Sequence, residues 1–221
     1  MLVEVAEALY EAVFAHPGPW TEDEYFDLPE IPTKVELVDG VLVVMPLSSV
    51  VHQRLVWQLE KILDETCPSQ EWEVFPGLNV RLWPGHIRNP DVILTRSGAM
   101  SRYVPAAEVL LLVEITSPGN FRQDRIVKHG DYAAAGVPFY LRVNLEKGHE
   151  VLEATLFELV DGSYQETARS ANGLLRSSLP LRPTPISPPP ARPRASWSKR
   201  PVSRRRRSSR PARTAAPPRP T

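Results

Sequence analysis

Two carboxylates interrupt the most apolar stretches of the chain. Glu114 lies near the end of the run LLLVEITSP, and Asp91 follows Pro90 at the start of another run, with Arg88 just upstream. A lone carboxylate buried in such a run is costly unless it is paired, protonated or bound to a cation. If the two runs lie side by side, the acids converge at one sheet edge as hard oxygen ligands with room for water. That donor set suits Mg²⁺ or Mn²⁺. The competing reading is that Asp91 merely opens a strand and Glu114 pairs with an arginine. On the segment after Glu114, the spacing Asp124-x-x-x-Lys128 places both residues on one helical face. They form either an ordinary i,i+4 ion pair or a lysine leaning over the strand end, able to meet an anion or an attacking water. His129, next along, points elsewhere and is expected at the surface.

Two further residues lie upstream. Glu36, in VELVDG, alternates with Val35 and Leu37, so it faces either solvent or the site. His52 stands at the start of a long helix, one position from its apolar stripe, and reads as a partly buried structural histidine or a member of the site. No Ser/His/Asp or Cys/His arrangement is evident, and no glycine-rich phosphate loop supports a nucleotide cofactor.

Positioning these groups requires a sheet and at least two helices. Residues 2–14 carry apolar positions at helical spacing, and Thr21-Glu22-Asp23-Glu24 has the spacing of a capping box before a short helix reaching Leu28. Lys34–Asp39 and Val41–Met45 flank Asp39-Gly40, a tight-hairpin signature. Ser48 or Ser49 caps a helix to about Thr66, with Val51, Leu55, Leu59, Ile62 and Leu63 as its buried stripe. Glu71–Phe75 and Leu78–Leu82 read as a strand pair around Pro76-Gly77. Asp91–Thr95 and Val109–Thr116 read as strands, the second so apolar that both of its faces should be covered. Asn120 can cap a helix from Phe121 to about Ala135, ended by Gly136. Phe139–Val143, Val151–Leu159 and Tyr164–Thr167 complete the strands. The expected class is α/β, a mixed sheet flanked by helices.

Charge divides the chain in two. The 40 residues Arg182–Thr221 hold 12 basic side chains, no acidic one and 11 of the 24 prolines. Taking those 12 from the 26 basic residues leaves 14 against 26 acidic in residues 1–181, a net of −12. The tail cannot bury enough apolar surface to fold alone, so a disordered basic Pro/Arg/Ser-rich extension is expected. The single Cys67 excludes an internal disulfide or a Cys-based zinc cluster and fits a reducing compartment. The first 15 residues contain Glu4, Glu7 and Glu11 and no basic residue, unlike a signal peptide, and no apolar run approaches a membrane span. A cytoplasmic location is the expectation.

In series, ELVDGVLVVMP, SSVVHQRLVWQL, RNPDVIL and LLVEITSPGNFRQDRIVKHGDYAAAGVPFY resemble the Uma-type family of restriction-endonuclease-like proteins, within the PD-(D/E)XK nuclease superfamily. The resemblance runs from about Thr21 to Thr167 and implies a restriction-endonuclease-like domain over residues 21–181. Residues 1–20 form an N-terminal helix and linker, and 182–221 the tail. It further implies a metal-dependent endonuclease acting on DNA, with Mg²⁺ or Mn²⁺ held by Asp91, Glu114 and the carbonyl of Ile115. Lys128 matches a lysine that has moved to the next helix, since Thr116 stands where the motif lysine would be. Thr116 is then expected to make a hydrogen bond at the site rim. Glu36 and His52 match the acid before the Asp-Gly turn and the helix histidine. A homodimer is implied by the superfamily. Asn144, where the family tends to have an aspartate, departs from the pattern. The resemblance equally admits a nuclease-like module without activity that binds nucleic acid or protein. The acidic domain would repel DNA unless its basic residues cluster, and Arg204–Arg207 offer a non-specific hold on a polyanion.

Overall fold

The computed structural model describes residues 16–29, 33–67, 71–98, 101–116, 122–145, 151–171 and 175, without the side chains of 122–125 and 151–152. All of these belong to the unit Met1–Pro189. The helix expected over 2–14, the Asn120 cap, the Asp124 side chain and the tail lie outside the described residues.

A capping box does start the first helix, α1 (Glu22–Phe26): the Thr21 hydroxyl accepts from the Glu24 amide while Glu24 reaches back to the Thr21 amide. Asp39-Gly40 forms the hairpin turn between β1 (Val35–Val38) and β2 (Val41–Val44), with φ of 50° and 82°. Both central residues thus take the left-handed conformation that such a turn demands. Ser49 caps α2 (Val50–Thr66), accepting from the His52 amide. There follow β3 (Trp72–Pro76), β4 (Val80–Trp83), β5 (His86–Arg88), β6 (Val92–Arg96), β7 (Val104–Pro105), a 3₁₀ turn and β8 (Val109–Thr116). The chain continues through α3 (Arg122–Ala134), β9 (Phe139–Leu145), β10 (Val151–Val160) and β11 (Ser163–Arg169).

The strands form two mixed sheets rather than one. The smaller has the order β2-β1-β5-β4-β7 and the larger β11-β10-β9-β8-β6-β3. In the larger sheet only β8 and β9 run parallel among the described strands, joined by the crossover helix α3. Every residue of β8 is buried, as its unalternating sequence requires. Leu111, Val113 and Ile115 enter one core with Val56, Leu55, Leu59 and Leu63 of α2. Leu112 enters a second core with Tyr132 of α3 and Ala135 just after it. The two helices therefore cover opposite faces of the large sheet.

Three local expectations need correction. The runs around Pro76-Gly77 do not pair with each other: β3 joins β6, and β4 joins β5. The turn Pro84-Gly85, with Gly85 at φ +77°, closes β4 directly onto β5. That short closure costs little chain entropy and leaves β3 free to take the open edge of β6. Ile62, placed in the buried stripe of α2, is 55% exposed, and Val56 is buried instead. At 100° per residue Ile62 lies about 80° from the centre of the face that meets the sheet. His129 is not at the surface but half-buried in a ring cluster, edge-on to Tyr140, Phe157 and Tyr164 at 5.1–5.7 Å between centroids. Burial, followed by the charge of Arg142, lowers its pKa.

Candidate active site

Asp91 and Glu114 stand on neighbouring strands of the large sheet, tied through the backbone. The Asp91 amide donates to the Val113 carbonyl at 3.1 Å, and the Ile115 amide donates to Asp91 Oδ2 at 2.8 Å. Asp91 Oδ1 accepts from Lys34 Nζ at 2.8 Å, and Oδ2 also lies 3.1 Å from His52 Nε2. Burial opposes ionisation of Asp91, but the His52 hydrogen bond and the Lys34 charge hold its carboxyl far below the usual carboxylate range. His52 reaches the acid because it lies within about 20° of Leu59 and Leu63 around the helix axis, inside the sheet-facing stripe.

Glu114 projects from the other face of β8, towards α3. Its Oε1 accepts from Tyr132 Oη at 2.5 Å and from Lys128 Nζ at 3.2 Å. Desolvation raises its pKa to about 7; Lys128 opposes the shift, whereas the charges of Asp91 and Glu36 add to it. Lys128 spans the gap to the smaller sheet, its Nζ 2.9 Å from Glu36 Oε1. Glu36 is fully buried, and its remaining bonds come from Arg88 Nη1 at 2.8 Å and the Asn89 amide at 3.1 Å. Burial would raise the Glu36 pKa, but Lys128 and Arg88 overcome it and hold the carboxyl below its ordinary value. The network continues outward: Arg88 Nη2 donates to Asp131 at 2.5 Å, and His86 lies 3.3 Å from Asp131 and 3.0 Å from Asp39.

Of the residues singled out by sequence, Asp91, Glu114, Ile115, Lys128, Glu36 and His52 share this buried region. Thr116 is buried beside it, but its hydroxyl donates to Asn144 Oδ1 at 2.7 Å on β9 and touches none of the acids. Lys34, Arg88 and Tyr132 were missed as partners. Period-two alternation would have put Lys34 on the face of Glu36, and an i,i+4 step would have put Tyr132 beside Lys128. For a cation, the available donors are the two carboxylates and the Ile115 carbonyl, all hard oxygens. Among the described residues no three His, Cys, Asp or Glu side chains gather into a metal cluster.

Comparison with known proteins fits this arrangement of acids on a mixed sheet. Residues 22–184, more than half of the chain, match the family Uma2, described as "Putative restriction endonuclease". The chain belongs to the Uma2 family. A solved structure with the same fold is described as a "putative nuclease belonging to DUF820 from Anabaena variabilis ATCC 29413". The likeness has a TM-score of 0.55 at 15% identity, over 67% of this chain and 84% of the other. A search of the curated proteins finds no match. Every residue of the cluster described above falls inside the matched segment. Among the described residues no helix is long and apolar enough to cross a membrane.

Proposed function

We propose that this chain is a metal-dependent endonuclease that hydrolyses DNA phosphodiester bonds, with Mg²⁺ or Mn²⁺ held by the Asp91 and Glu114 carboxylates and the Ile115 carbonyl. The observation that carries this reading is the convergence of like charge. Asp91 is held anionic, and Glu114 is pushed up to about 7 by burial and by its carboxylate neighbours. Such a pair gains from a divalent cation, to which both carboxylates can offer lone pairs. Three protein oxygens leave room for the waters that a small hard cation retains. When bound, the metal supplies Lewis acidity at the phosphate and a more acidic water.

The chain's own groups do the rest. Lys128 offsets charge building on the phosphoryl oxygens and orients the attacking water, its ammonium kept at the site by Glu114 on one side and Glu36 on the other. Glu36 is a positioning residue, since its oxygens are committed to Arg88, Asn89 and Lys128. Lys34 and His52 orient the Asp91 carboxylate. Thr116 holds the strand end to β9 through Asn144.

Plasmid nicking in Mg²⁺ or Mn²⁺, compared with Asp91→Asn and Glu114→Gln, tests the reading. Nicking by the wild type that falls at least a hundredfold in both variants supports it. Equal background in all three overturns it. The second reading, a nuclease-like module that binds nucleic acid or protein without hydrolysis, draws on one observation: Asp91 already takes three hydrogen bonds from its own chain. It predicts DNA or protein binding that survives both substitutions, with no nicking in any form.

A further inference from the structure

Beside the acids, and on the side of α1, lies a cavity of about 400 Å³ whose lining includes Tyr25, Phe26, Lys34, Gly77, Asn79 and Asn89. Three of these are bonded directly to the acid cluster. Lys34 Nζ donates to Asp91 Oδ1, the Gly77 amide donates to the Asp91 carbonyl at 3.1 Å, and the Asn89 amide donates to Glu36. The cavity and the acids therefore share walls, and a polymer held at Asp91 would have its neighbouring group at the cavity mouth.

The lining has fixed polarity. Tyr25 Oη donates to the Val35 carbonyl at 2.8 Å and lies 3.0 Å from the Asn79 amide; Asn89 Nδ2 donates to Asn79 Oδ1 at 3.2 Å and to the Gly77 carbonyl at 3.0 Å. The two bonds from Nδ2 orient the Asn89 amide. Asn89 Oδ1 is a buried acceptor with no hydrogen-bond partner. A free buried acceptor among aromatic side chains matches a nucleobase, which presents amino or imino donors on its edge and a π face. Outside the cavity the chemistry continues. Phe26 stacks on Tyr103 at 5.9 Å, Arg102 lies 5.8 Å over Phe26, and Arg81 lies 5.2 Å over Tyr103. Asp27 and Glu22 offset part of this charge, pairing with Arg102 at 3.7 Å and Arg81 at 2.8 Å. Interleaved arginines and rings are what a single strand uses to bind without duplex geometry. A concave cavity of this size has room for a base.

We propose that this cavity receives one unstacked nucleobase of the strand whose phosphodiester lies at Asp91, so that the preferred substrate carries an extrahelical or single-stranded nucleotide. The inference rests on the acids being a phosphodiester site. It also accounts for how an acidic domain holds a polyanion, since ring stacking and amide contacts do not depend on net charge.

The test is binding by the full-length Glu114→Gln chain, measured by fluorescence anisotropy in Ca²⁺. The probes are a fully paired duplex, the same duplex with a one-nucleotide bulge, and the single strand. The bulged duplex and the single strand should bind at least tenfold more tightly than the paired duplex. Adding Leu28→Trp, which fills the cavity from its lining, should abolish that preference with the melting temperature unchanged. If that variant does not fold, Thr33→Phe fills the same space. Equal affinity for the three probes, or a folded cavity-filled variant that keeps the tenfold preference, overturns the inference. Nicking without structural preference refutes the cavity alone; preference without nicking refutes hydrolysis alone.

Discussion

Replacing Lys128 by methionine tests the bridge between the two sheets most directly. The ammonium lies 2.9 Å from Glu36 and 3.2 Å from Glu114, and these side chains are 0% and 10% exposed. At an effective dielectric of about 20, opposite unit charges about 3 Å apart attract by about 5 kcal/mol, against which desolvation of the lysine must be set. Removing one partner of a buried pair leaves an uncompensated charge and costs about 3–5 kcal/mol. Here two carboxylates lose the same cation, so the upper half of that range applies. At a urea dependence of about 2 kcal/mol/M, the unfolding midpoint should fall by about 2 M. Total stability for such a domain is about 5–15 kcal/mol, so the variant should be measurable at low temperature. The double variant Lys128→Met with Glu36→Gln removes the uncompensated charge at the cost of one of the two acceptor oxygens, and should recover part of the loss. A single-variant loss under about 1 kcal/mol, or a double variant no better than the single, would refute the buried bridge.

Other expectations follow from the same network. Because Glu114 titrates near 7 in the fold and near 4.5 unfolded, the native state binds more protons in that window. Metal-free stability should therefore fall as pH rises from about 4.5 to 7, and Glu114→Gln should flatten the slope in pH-dependent urea titrations. Cation affinity, read by calorimetry, should rise over the same range, since the metal needs the carboxylate. Tyr132→Phe removes the donor to Glu114 Oε1 and should cost about 1–3 kcal/mol in thermal unfolding. Arg88→Met strands Glu36 and Asp131 and should cost about 3–5 kcal/mol. Arg88→Lys should not restore it, because the shorter side chain with one nitrogen lacks the two separate guanidinium nitrogens that reach Glu36 and Asp131 here.

Much of the site was legible because charge inside an apolar run is conspicuous. Asp91 and Glu114 stand out in that way, and Lys128 follows from helical spacing. Glu36 remained open between solvent and site, because alternation assigns a residue to a face without saying what covers it. The partner that decides, Arg88, belongs to β5, whose sequence His86-Ile87-Arg88 carries two polar residues and no strand signature. All three are buried. A strand stabilised by internal ion pairs has no hydrophobic pattern to read, and with β5 unseen the second sheet went unseen as well. His129 was misjudged because its burial depends on Phe157 and Tyr164, which arrive from a distant hairpin.

The contacts of the site also differ in how much chain each must close. Glu114 and Lys128 are 14 residues apart, and Asp91 and Ile115 are 24 apart. Arg88 and Glu36 are separated by 52 residues, and Lys34 and Asp91 by 57. Loop-closure entropy orders them, so the β8–α3 pair can form early, whereas Lys34 and Glu36 join only when the hairpin docks against β5. Until that docking, Lys128 has one anchor and Asp91 lacks its ammonium partner. The site is thus completed by the longest-range contacts in its own set, and a chain only partly folded carries the acids without the arrangement that would let them act.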